Sequence, residues 1–239
     1  MQHVNVAALQ KWAEEREGGV IVFALSGAFA MPGRPLAFLQ AGPREQHSPD
    51  DEGVRQAFEI AGESRFDHDP RFSLVVRSEI AGRALSPAVN DPGTAIDIVG
   101  TLVRLFVLWN DTPQGESKPE HDRVEVPKVS VDDMFDDAFT AIGRDGAWAV
   151  GVIVRLQKAL DSLASVGDRS MRDAAMRHAR MALGCAEPKV DLVDDLVEVR
   201  NALAFHRHSF NVALERLPLA VPLDVFSSGM RPLIMRRPS

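Results

Sequence analysis

Two aspartate–proline pairs, Asp69-Pro70 and Asp91-Pro92, constrain this 239-residue chain more tightly than any other feature. An aspartate at an N-cap accepts hydrogen bonds from the free amides of the first helical turn, and a proline at the next position needs no N–H of its own. Each pair therefore predicts a helix start. Between them, Ser86-Pro87 forbids helical continuation, because the residue before a proline is pushed out of the α region. The reading is a helix over about 70–85, a connection of only PAVN (87–90), and a second helix over about 92–109: a helix hairpin whose turn lies within RALSPAVNDPGTAID, residues 83–97.

The second of these helices carries a pattern. Thr94, Asp97, Thr101 and Arg104 follow one another at steps of three, four and three beside Gly100, making one polar stripe on an otherwise apolar rod. A stripe of this kind inside a core demands partners. Arg83, near the turn, can reach Asp91, Asp97 or a bound anion, and the amides opening the second helix offer an anion site. The plainer alternative is that Asp91 caps, Asn90 makes an Asx turn, and Arg83 ties the two helices together. The candidate ligand-binding residues are thus Arg83, Ser86, Asn90, Asp91, Thr94, Asp97, Thr101 and Arg104, joined by His68, the one histidine flanked by carboxylates (Asp67 and Asp69) close to this motif. Ser86 lacks the frame of a hydrolase nucleophile.

Composition narrows the classes. With 45% hydrophobic and 26% charged residues the chain is globular. A net charge of −7 supplies no basic field, which argues against nucleic acid as a partner. The lone Cys185 cannot form an internal disulfide, and no Cys/His spacing suits zinc, so neither a metal nor another cofactor is expected and the compartment is a reducing one. The longest apolar stretch, 95–109, falls short of about 18 to 20 uninterrupted apolar residues and contains Asp97 and Arg104; it reads as a buried core helix of a soluble chain.

Along the chain, 4–16 reads as a short amphipathic helix, GVIVFALSGAFAMPGRPLAFLQ as two or three strands with a tight turn, and 41–53 as a loop. Helical texture then runs almost to the end, interrupted by a loop at 110–122 and an isolated strand at 123–129, with three or four helices over 131–208. The expected fold class is α+β, mostly α: a β-rich part within 1–45, a helical domain of about six helices over 54–208, and a tail over 209–239. Three further clusters read as structural. His206 and His208 sit at a solvated helix end, and Asp132, Asp133, Asp136 and Asp137 cap a helix start. Asp191, Asp194, Asp195 and Glu198 form a solvated face opposite Leu192, Val193, Leu196 and Val197.

The stretch DPRFSLVVRSEIAGRALSPAVNDPGTAID resembles the signature region of a bacterial family, domain of unknown function 2254, described as predicted membrane proteins; the resemblance covers roughly residues 3 to 205. In that family a domain like this one follows several transmembrane helices, and QHVNVAAL resembles the segment just after the last of them, which would make Met1 a fragment start. The resemblance implies a membrane-embedded segment of the same full-length protein as partner and the cytoplasmic side of the bacterial inner membrane as location. It implies no chemistry. SGAFAMPGRPLAFL is also similar to the turns of biotinyl and lipoyl carrier domains, with Gly27, Gly33 and Leu36 fitting their rhythm, but residues 18–40 contain no lysine to carry a cofactor; only a partial biotinyl/lipoyl-like β-sandwich is kept. Two functions stay open. One is a non-catalytic cytoplasmic module for ligand sensing or assembly, with a homo-oligomer among its partners. The other is an enzyme or binding protein for a small phosphate or carboxylate at 83–104, with His68 or Asp97 as base. The lack of a paired general acid and base leans away from an enzyme.

Overall fold

The computed structural model describes residues 3–40, 42, 52–60, 71–112, 121–204 and 230–234. The chain divides into two compact units, the first drawn from Met1–Phe72, Gly115–Lys128 and Ala220–Ser239, the second from Ser73–Gln114 and Val129–Leu219. The first unit takes in three separate stretches because strands distant in sequence pair with the N-terminal ones.

The first unit contains β1 (His3–Val4), α1 (Val6–Glu15), β2 (Gly19–Val22), β3 (Pro35–Gln40), α2 (Glu52–Gln56), β4 (Phe58–Glu59), β5 (Val124–Glu125) and β6 (Met230–Ile234). Asn5 caps α1 by accepting from the amide of Ala8 at 3.0 Å. The main sheet runs in the order β5-β2-β3-β6, while β1 and β4 form a separate antiparallel pair. β2 and β3 are antiparallel, with Val20 opposite Leu39. The segment expected as an isolated strand instead joins this sheet: β5 lies parallel to β2, with Val20 opposite Val124. β6, from the tail, completes the far edge, with Ala37 opposite Leu233. Gln10 helps place β5, since its buried amide donates to Asp122 Oδ1 at 2.7 Å and accepts from the Arg123 amide at 3.0 Å. Gly18 is required where it stands, because a Cβ there would collide with the carbonyl oxygen of Gln40.

Val20, Val22, Leu36 and Leu39 pack with Leu9, Trp12 and Ala13 of α1 in one apolar cluster. The sheet therefore buries its face against a helix, and the expected biotinyl/lipoyl-like β-sandwich is not supported. The apolar side of α1 does the covering that a second sheet does in a sandwich.

The second unit is helical: α3 (Phe72–Ala84), α4 (Pro92–Asp111), α5 (Val131–Asp145), α6 (Val150–Val166), α7 (Arg169–Ala186) and α8 (Val193–Ala204). With α1 and α2 the described residues hold eight helices, six of them in this unit, against an expectation of about six for the helical domain. Ser130 and Asp168 cap α5 and α7 through the amides of Asp133 and Met171. The main core joins Leu102 and Phe106 of α4, Phe135, Phe139 and Ile142 of α5, Leu156 and Leu160 of α6, and the alanines of α7. Phe106 lies 4.4 Å from Phe135 and 5.6 Å from Phe139 between ring centroids, so three aromatic rings lock α4 to α5. A smaller cluster seats Val199 and Ala202 of α8 on Ile153 and Val154 of α6.

Candidate functional site

The 84–91 turn is closed almost entirely by its own backbone. Ser86 N–H donates to Arg83 O and Asn90 N–H to Ser86 O, and Asp91 N–H returns to Ala84 O at 2.8 Å. Asn90 adopts φ 51°, a left-handed conformation asparagine tolerates better than most residues. The Ser86 hydroxyl donates to Arg83 O at 2.7 Å. Asp91 caps α4, accepting from the Thr94 amide at 3.2 Å and the Thr94 hydroxyl at 2.6 Å. The hydroxyl of Thr94 and then its amide hold the Asp91 carboxyl below its ordinary range. Ser86, Asn90, Asp91 and Thr94 are therefore brought together, as a turn.

Arg83 contributes its carbonyl to that turn but not its side chain. Its carboxylate partner is Glu79, 3.7 Å away one helical turn earlier, and both side chains are exposed, at 80% and 60%. In place of the expected tie between Arg83 and Asp91 or Asp97, Arg83 makes an exposed pair within α3. The polar stripe is also displaced from its expected setting. Ala95, Val99, Leu102 and Phe106 form the buried side of α4, whereas Asp97 and Arg104 are exposed. Thr101 donates to Asp97 O and accepts from Arg104 Nη2 at 2.8 Å, so the stripe is satisfied along its own helix. A Cβ on Gly100 would lie 3.4 Å from Arg155 Nη2 of α6 and 3.9 Å from Arg104 Nη1. Two guanidiniums thus converge over that glycine. His68, the Asp69-Pro70 start, His206 and His208 lie outside the described residues.

Arg177 and His178, neither singled out by spacing, form a polar cluster with two of the acids that open α5. Arg177 of α7 donates to Asp136 at 2.8 Å and to Asp132 at 3.2 Å, both on α5. The acidic start of α5 is therefore more than a solvated cap. Next to Arg177, the buried His178 puts Nε2 3.0 Å from Asp136 Oδ1 but without the alignment of a hydrogen bond, so that nitrogen has no hydrogen-bond partner. Its ring packs beside Phe135 and Phe139. Burial, and next the charge of Arg177, push the His178 pKa down. Burial tends to raise the Asp136 pKa, but Arg177 and His178 outweigh it and bring it down. One signal did exist: His178 stands three to four residues after Ala174 and Ala175 and four before Ala182, on the buried stripe of α7. Gln157, fully buried on α6, donates from Nε2 to Ala179 O at 2.8 Å while its Oε1 has no partner.

The acidic face of α8 corrects another expectation. Leu192, Val193 and Val197, read as its inner side, are 66%, 74% and 46% exposed. Val199 and Ala202 are the residues it buries. α4 is likewise buried on one side only. Among the described residues it is the single helix long and apolar enough to cross a membrane, with mean hydropathy 1.4 over its best window, and most of that window is not buried. No group of three or more metal-ligating side chains comes together among the described residues.

What these features define is a helical bundle with a small sheet unit, its polar residues engaged mostly in caps and ion pairs. The family model described as predicted membrane protein (DUF2254) matches residues 1–162, and the chain belongs to that family. No curated protein and no solved structure matches it.

Proposed function

We propose that this chain is a non-catalytic module of a bacterial membrane protein, lying on the cytoplasmic side and serving ligand sensing or assembly with the membrane-embedded part or with further copies of itself. The observation that carries the reading is the exposure of apolar side chains at the start of α8, Val193 and Val197 with Leu192 just before them, and of Leu108 on α4. Contiguous exposed apolar side chains are uncommon on domains that work alone and are typical of association surfaces. Membership of a family of predicted membrane proteins supplies the setting.

Sedimentation across a concentration series tests it, using the wild-type chain and a Leu192→Asp/Val193→Asp variant, alone and mixed with the membrane-extracted full-length protein. Association by the wild type, abolished in the variant without loss of helical circular dichroism, is the expected result. A chain that stays monomeric and binds nothing from the full-length protein would sink the assembly half.

A second reading, a protein acting on or binding a small phosphate or carboxylate at the 83–104 region, is favoured by the convergence of Arg104 and Arg155 over Gly100. Thermal stabilisation by phosphate that disappears in Arg104→Gln/Arg155→Gln would support it.

A further inference from the structure

We propose that the hairpin loop joining β2 to β3, residues 23–34, inserts into the interface of a phospholipid bilayer, with Phe29 and Phe23 entering the acyl boundary and Arg34 meeting headgroup phosphate. The proposal goes beyond the reading above, because it gives this chain a lipid contact of its own, separate from assembly through α8. Phe29 is 82% exposed and Phe23 66%, both in the one loop. Phe23 keeps an edge against Phe38, with ring centroids 5.9 Å apart, which braces it at the base of the loop. Holding large apolar rings in water stabilises nothing within the unit, whereas the boundary between headgroups and acyl chains shelters them.

The loop has a defined shape. Phe23 N–H and Ala24 N–H both donate to Leu36 O, at 2.8 and 3.1 Å, and two tighter turns are closed by Ala28 N–H to Leu25 O and Arg34 N–H to Met31 O. Gly27 and Gly33 each stand at φ 86°, a left-handed conformation that glycine adopts without steric strain. Ala24, Ala28 and Ala30 pack against the apolar cluster of the unit. Small residues thus fill the inner side of the loop, and the alanines flanking Phe29 in sequence hold it outward.

The second, independent observation is charge, and it selects lipid as the occupant. Residues 18–40 contain no acid and a single base, Arg34, in a chain that is 26% charged. An acid in this loop would be repelled by headgroup phosphate and would resist leaving water, and its absence removes both obstacles. Arg34 is exposed, and an arginine stem can lie along apolar surface while its guanidinium stays level with the phosphates. The net charge of −7 on the whole chain does not forbid the contact, since at physiological salt fields fade over about 8 Å. The match to a family described as predicted membrane protein takes in the entire loop, so a bilayer is the apolar phase at hand.

Vesicles of phosphatidylcholine and phosphatidylglycerol in equal parts are the probe, mixed with the whole chain at physiological salt and read by co-sedimentation. The chain should bind with a partition constant of at most about 10⁴ M⁻¹, that of a single acyl anchor. Phe29→Ser should lower it about tenfold, the scale of withdrawing a phenylalanine from an apolar phase. Arg34→Gln should lower it about fivefold, the scale of one cation near such a surface. Because Phe29 packs so little on its own fold, Phe29→Ser should keep the wild-type Tm, which separates loss of the contact from loss of the fold. Phe29→Trp should bind and add blue-shifted emission to that of the native tryptophans, quenched by lipids brominated in their acyl chains. Glycerophosphate, a headgroup charge without chains, should not release the protein, and Leu192→Asp/Val193→Asp should bind vesicles as the wild type does. Absence of vesicle binding, equal binding by wild type and Phe29→Ser, or an unquenched Phe29→Trp overturns insertion and leaves assembly through α8 standing. Release by glycerophosphate would overturn it by assigning the contact to charge alone, and loss of binding in the α8 variant would overturn it by moving the contact to that helix. A blue shift in Phe29→Trp that grows with protein concentration, without vesicles, would overturn it by giving the loop to a second copy of the chain.

Discussion

Arg83→Leu is the substitution for which the hairpin's sequence and its structure demand different outcomes. If Arg83 neutralised a mostly buried Asp91 or Asp97, its removal would strand a carboxylate and cost about 3 to 5 kcal/mol. Instead its partner is Glu79 at 3.7 Å, with 80% and 60% of the two side chains open to solvent. A pair of that kind, with the acid one turn before the base, contributes about 0.2 to 0.5 kcal/mol. Leucine is nearly as good a helix former as arginine, so backbone propensity adds little. The expected loss is therefore at most about 0.5 kcal/mol, or roughly 1 to 2 °C in Tm for a unit of this size. Urea melts should be followed by helical circular dichroism and by tryptophan fluorescence, to which Trp109 in α4 and Trp148 just before α6 contribute from the helical unit. A loss of 3 kcal/mol or more would refute the exposed, intrahelical pairing and restore a charge bridge across the turn.

Two other outcomes follow from the buried polar groups. Because burial and Arg177 hold the His178 pKa below its ordinary 6.5, the folded protein keeps this ring neutral while the unfolded chain takes up a proton, so stability should fall as pH drops below about 6.5. The slope approaches about 1.4 kcal/mol per pH unit until the folded pKa is reached, and His178→Gln should remove it; an unchanged slope in that variant assigns the effect elsewhere. The depressed Asp136 pKa adds stability that is present above about 3.8 and lost only in stronger acid, so the two limbs are separable in one pH series. Gln157→Leu gives up the bond to Ala179 O, about 0.5 to 1.5 kcal/mol, and also removes the unpaired Oε1, a relief of about 1 to 3 kcal/mol. The variant should melt at or above the wild-type temperature, and a loss beyond about 1 kcal/mol would show that Oε1 is satisfied in solution.

Local signals were legible where the physics is local. Asp91-Pro92 starts α4 at Pro92, and Ser86-Pro87 follows directly on the end of α3 at Ala84, because caps and proline sterics act within a few residues. The identity of sheet partners was not legible. Val20 meets Val124, and Ala37 meets Leu233, across separations over which no periodicity reports a neighbour. Arg83 shows the same limit at short range: spacing told which residues stand near the turn, but not that Arg83 would pair along its own helix with Glu79. His178 was hidden for another reason, since its carboxylate partner sits about 40 residues earlier on α5 and adjacency in sequence pairs it only with Arg177.

The order of strands β5-β2-β3-β6 also sets a timetable. Roughly 190 residues, the whole of the helical unit among them, separate β3 from β6. At about 5 to 20 residues per second, the ribosome delivers the last strand about 10 to 40 seconds after the one it pairs with. During that interval PLAFLQ presents an open row of amides and carbonyls to any other nascent chain, the exposure from which edge-to-edge aggregation starts. Pro35, at the first position of the strand, shortens that open row by one donor. In the cell, the interval in which this sheet is vulnerable is governed by translation speed rather than by the strength of the finished strand pairing.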